Sequence, residues 1–129
     1  MNFFISEQDN LGLFPDSSEK EHLTRVSRLR EQMELCNIDG LFLTQETNVR
    51  YATGMMDVAW PIQSYFYTAF IPRSSNMPVA IFVPNGGQIQ TQATWVKTIV
   101  RWNFPVGFYM GKVGDSLIES FSFWINKLG

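Results

Sequence analysis

The chain has 129 residues, 45% of them hydrophobic, which suits one domain with a real core. Its formal net charge is −2, and its ten Lys and Arg residues are scattered along the sequence. That pattern excludes electrostatic recruitment to nucleic acid or an anionic membrane. No run approaches the ~20 apolar residues of a membrane span.

Four Trp and eleven Phe are generous for this length, so some apolar surface is expected to face a partner. Cys36 is the single cysteine, which precludes an intrachain disulfide and fits a reducing compartment. The opening "MNFFISEQDN" lacks the basic and long apolar regions of a signal peptide. A soluble cytoplasmic protein is expected.

Residues 1–16 show weak periodicity and read as an N-terminal arm that docks through Phe3, Phe4 and Phe14, leaving 17–129 as the domain. Ser18 and Glu21 have capping-box spacing. Leu23, Val26, Leu29, Met33 and Cys36 then recur at steps of three and four, which predicts a helix over 19–36 with one apolar stripe. "CNIDG" supplies the turn that closes it. "GLFLT" (40–44) is an unbroken apolar run and predicts a strand buried on both faces. "ETNVRYATG" predicts a short helical or irregular turn. "SYFYTAFIP" (64–72) and "PVAIFVP" (78–84) read as two strands joined by "RSSNM" as an antiparallel hairpin.

"NGGQIQTQATWV" reads as a short polar helix and "KTIVRW" (97–102) as the next strand. "NFPVGFYMGKVGD" reads as a glycine-rich loop. A last helix is predicted from Ser116, with Leu117, Phe121, Trp124, Ile125 and Leu128 on one face. The alternation of strands and helices predicts an α/β domain with a mixed sheet covered by helices. Because the next element expected after this helix is a strand, the sequence reads as part of a longer protein.

Chemistry is harder to find. His22 has no second His or Cys near it in sequence, so it reads as a solvated or capping residue rather than a metal ligand. Cys36 falls on the apolar stripe and reads as a small buried hydrophobe. "GKVGDS" (111–116) departs from the phosphate-loop spacing and reads as a turn into a helix. Within "NVRYATG" (48–54), Asn48 reads as a cap, Arg50 as an ion-pairing or ligand-contacting residue, and Tyr51 as a core residue with its hydroxyl at the edge or a ligand contact.

The segment "RVSRLREQMELCNIDGLFLTQETNVRYATGM" (25–55) resembles the opening of the N-terminal domain of the creatinase/prolidase (aminopeptidase P-like) metallohydrolases. The matching positions are Arg25, Leu29, Arg30, Met33, Ile38, Asp39, Gly40, Thr44, Asn48, Val49, Arg50, Tyr51, Thr53 and Gly54, while Ala52 and Met55 stand where Leu and Phe are common.

The resemblance implies a ribonuclease-H-like α/β domain joined to a separate pita-bread catalytic domain. There, two Asp, one His and two Glu hold two divalent metals (Mn, Co or Zn) that activate water. It implies no catalytic or metal-binding residue in this chain. It further implies a homodimer in which a loop reaches the neighbouring active site, with a small peptide or an amide or amidine as substrate. "MMDVAWPIQ" (55–63) is the loop expected to do so, which makes Arg50, Tyr51 and Trp60 the expected substrate contacts. Two other readings compete: a catalytically dead relative that binds a peptide or protein, and an unrelated small α/β ligand-binding protein.

Overall fold

The structure, a computed structural model, describes residues 3–7, 19–55, 67–84, 94–102 and 110–128. In chain order the elements are β1 (Phe3–Glu7), α1 (Glu19–Leu35), β2 (Gly40–Leu43), α2 (Glu46–Thr53), β3 (Thr68–Pro72), β4 (Ala80–Pro84), β5 (Thr98–Trp102) and α3 (Met110–Leu128). The strands form one mixed sheet in the order β1-β5-β4-β3-β2. β4 and β5 run parallel and every other pair is antiparallel. This is the expected α/β architecture.

Alternation along the strands divides the sheet into two faces. Phe42, Phe70 and Phe82 share one face through the pairings Phe42–Phe70, Phe70–Ala80 and Thr68–Phe82. All three rings meet Phe121 of α3, at centroid distances of 4.2, 5.5 and 5.8 Å. Trp124 is buried on the same helix, with Leu117, Ile125 and Leu128 packed against the core. The expected apolar face of the last helix is therefore the face that docks. The opposite rows of the sheet carry Ile71, Ile81 and Ile99, all fully buried. α2 packs against β3, and α1 packs against α2.

The end of α1 explains "CNIDG". Asn37 has φ +56°, its N–H bonds Glu34 O at 3.2 Å, and Ile38 N–H bonds Met33 O at 2.8 Å. This pair of bonds is a Schellman closure, and Asn tolerates the left-handed residue that it requires.

Several expectations fail for identifiable reasons. Phe3–Glu7, read as part of an arm, pairs with β5 as an edge strand, Phe3 opposite Trp102; five residues are too few for alternation to show. Phe14 and Ser18 lie outside the described residues. β2 is the other edge strand and is only half-buried, with Phe42 36% exposed, so its apolar run does not mark a strand covered on both faces.

α3 begins at Met110, taking in the segment read as a turn. Gly111 and Gly114 each cost about 1 kcal/mol relative to Ala in a helix. The docking of five large apolar side chains in the same helix offsets that. Cys36 is exposed, because α1 ends at Leu35 and the cysteine falls in the turn beyond the stripe. The short helix expected within 85–96 lies mostly outside the described residues.

Candidate functional site

"NVRYATG" forms all but the first two residues of α2 and its C-terminal cap. Val49, Ala52 and Thr53 are fully buried, so three of the seven motif residues fill the core. Asn48 is not the cap; Gln45 holds that position, and Asn48 Nδ2 donates to Gln45 Oε1 at 3.4 Å from inside the helix. The helix ends at Gly54, whose φ of +73° is the left-handed geometry that favours glycine. A Cβ there would also lie 2.8 Å from His22 Nε2.

A helix leaves its last four carbonyls without intrahelical partners, and here each has one. Gly54 N–H donates to Arg50 O at 2.8 Å. Tyr51 O accepts from His22 Nδ1–H and from Arg25 Nη1, both at 3.2 Å. Ala52 O accepts from Trp95 Nε1 at 3.0 Å, and Thr53 O accepts from the Thr94 hydroxyl. Thr53 Oγ1 donates to Val49 O at 2.6 Å and accepts from Met55 N–H at 3.2 Å. The positive Arg25 also opposes the negative end of the helix dipole. The outcome is a rigidly held chain direction at Gly54 and Met55, both buried.

His22 is therefore not solvated; of its two expected roles it fills the capping one, at the C-terminal end of α2 rather than on its own helix. It is 2% exposed and serves as a donor from α1 to α2. Because its acceptor is a carbonyl, Nδ1 carries the proton. Sequence reading had no signal for this role, nor for Thr94 and Trp95, since each partner is a backbone oxygen that has no residue type.

Of the expected contact residues, Tyr51 is 43% exposed and does not fill the core. The Arg25 guanidinium lies 4.8 Å from its ring centroid, a cation–π contact. Arg50, its neighbour on α2, is half-buried. Trp60 and most of the loop 55–63 lie outside the described residues. Beside Tyr51 is an open cleft of about 520 Å³ lined by Lys20, Glu21, Thr24, Arg25, Arg28 and Tyr51. Glu21 and Arg25 form an ion pair one turn apart on α1.

Other motif residues brace the scaffold. Arg30 Nε donates to Pro72 O at 2.9 Å and Nη2 to Met77 O at 3.1 Å, tying α1 to the β3–β4 hairpin. Burial lowers its pKa from the usual arginine value, and it does the same to Arg101, which is 6% exposed on β5. Gly40 leaves room for a ring: an added Cβ would lie 2.5 Å from Phe70 Cζ. Asp39 pairs with Arg73 at 2.7 Å.

Among the described residues, no group of three His, Cys, Asp or Glu side chains converges to hold a metal. No described helix is long and apolar enough to cross a membrane.

The family described as the Creatinase/Prolidase N-terminal domain matches residues 25–122, roughly three quarters of the chain. Among solved structures, the chain is similar to the crystal structure of an Xaa-Pro aminopeptidase from Streptococcus pyogenes. The two share 16% identity over 81% of this chain and 70% of that one, with a TM-score of 0.49. No curated protein matches the chain. The match over residues 25–122, most of the chain, establishes that the chain belongs to the creatinase/prolidase N-terminal domain family.

Proposed function

We propose that the chain acts as the non-catalytic N-terminal domain of a metal-dependent hydrolase resembling Xaa-Pro dipeptidases and creatinase. The observation that carries this reading is the capped end of α2. In its last turn Tyr51 O is tied to α1, Ala52 O and Thr53 O are tied to residues 95 and 94, and Arg50 O is closed by Gly54 N–H, which holds the chain at Gly54 and Met55. A loop that must reach a neighbouring active site needs a rigid root, and backbone hydrogen bonds supply one at little entropic cost once folded. In this reading Arg50, Tyr51 and Trp60 face the substrate, a small peptide or an amide or amidine. The two divalent metals and the water they activate belong to the catalytic domain, and no reaction step is assigned to a group of this chain.

Dimerisation is the second part of the proposal. Support comes from apolar side chains left in solvent: Phe42, Phe123 and Ile118 are 36%, 40% and 64% exposed. Such surface favours association once it is pooled into one interface. Sedimentation equilibrium over a wide concentration range tests this. A reversible dimer is expected, and a strictly monomeric mass at the highest concentrations would remove dimerisation from the proposal.

A further inference from the structure

Three of the ten basic residues lie within nine positions of α1 and share one cleft. Lys20, Arg25 and Arg28 line the cleft beside Tyr51, against the single acid Glu21. This small wall is locally +2, so the rest of a chain of net charge −2 carries −4. The cleft is thus a basic surface on an acidic molecule, a contrast that orients a charged partner.

The geometry refines the picture. Lys20, Thr24 and Arg28 follow at steps of four and form one stripe along α1. Among the described residues, no carboxylate pairs with Lys20 or Arg28. Arg25 is different: it is held in place by Glu21, by Tyr51 O and by the Tyr51 ring, so it provides a preorganised positive centre. Lys20 and Arg28 are eight residues apart, about 12 Å along the helix. Carboxylates at positions i and i+4 of an extended peptide are about 13 Å apart, on the same side of the strand.

We infer that this cleft docks an extended acidic peptide segment of a protein partner, with carboxylates on alternate residues. The outer two pair with Lys20 and Arg28, and the middle one lies near Arg25. A polyphosphate or nucleic acid suits the cleft less well, because Glu21 sits in its wall and would oppose a dense row of charges. The inference does not depend on the hydrolase reading.

Isothermal titration of the whole chain with an acetylated, amidated pentapeptide bearing Glu at positions 1, 3 and 5 tests it at low salt. Saturable 1:1 binding is expected, weakening at least several-fold as salt is raised from about 20 to 300 mM. Lys20→Ala and Arg28→Ala should each weaken it about three- to tenfold, with unchanged melting temperature because both side chains are exposed. The double reversal Lys20→Glu with Arg28→Glu should abolish it and bind the matching Lys peptide instead. The inference is overturned by an absence of saturable binding, or by equal binding of the Gln-substituted peptide. Undiminished binding to the double variant would also overturn it, as would citrate or single-stranded DNA binding more tightly than the peptide.

Discussion

Gly54→Ala probes the joint on which the candidate site depends. The residue sits at φ +73°, where a side chain costs roughly 1–2 kcal/mol. The new Cβ would also lie 2.8 Å from Nε2 and 3.3 Å from Cε1 of His22. That ring is 2% exposed and is held by its bond to Tyr51 O, so it has little room to retreat. Overpacking of this kind costs about 1–3 kcal/mol, which gives a total of roughly 2–5 kcal/mol.

Urea denaturation measures the loss directly. For a domain of this size the melting temperature should fall by roughly 3–6 °C per kcal/mol. The two contributions separate in a double-mutant cycle with His22→Ala, which removes the ring but leaves φ unchanged. Gly54→Ala should then cost only the ~1–2 kcal/mol of backbone strain. A single-mutant cost below about 0.5 kcal/mol, or identical costs in the two backgrounds, would refute the packing of His22 against the end of α2.

Arg30→Met should destabilise the chain by about 2–3 kcal/mol, because it leaves the Pro72 and Met77 carbonyls without their donor; thermal denaturation reads this, and Arg30→Lys should recover less than half of it. Arg73→Ala should change stability by no more than about 1 kcal/mol, since its partners Asp39 and Glu34 are well exposed, and added salt should shrink even that in a denaturant titration. Trp60→Ala, made in a full two-domain enzyme, should lower kcat/KM about tenfold with little change in melting temperature if the loop reaches substrate. Near-normal kinetics with a loss of about 3–5 kcal/mol in stability would instead make Trp60 a core residue.

What could be read from the sequence followed side-chain periodicity. The stripe Leu117, Phe121, Trp124, Ile125 and Leu128 is the face that packs, and Val26 and Met33 of the first helix are buried as their spacing implies, whereas Leu23 of the same expected stripe is 46% exposed. The antiparallel β3–β4 hairpin was legible from two β-rich runs around a short polar connection. Its limits are also physical. The edge position of β2 depends on which strand it pairs with, and an apolar run looks the same at an edge and in the middle. The start of α3 was hidden by two glycines that a well-docked helix tolerates.

At the site, Arg25, Arg50 and Tyr51 were visible as motif residues, but the bonds that hold the end of α2 were not. His22, Arg25, Thr94 and Trp95 come from positions 26 to 43 residues away and bind carbonyl oxygens. A bond to backbone leaves no pattern in the partner's side chain, so only the folded structure shows it.

On the function proposed above, this chain supports hydrolysis without performing it. Purified residues 1–129, incubated with an Xaa-Pro dipeptide and followed for release of free proline, put that proposal to the test in assays with and without added Mn²⁺ or Co²⁺. No turnover above the buffer rate is expected under any of these conditions. Metal-dependent release of proline that co-purifies with the chain, and survives controls for contaminating peptidase, would contradict it.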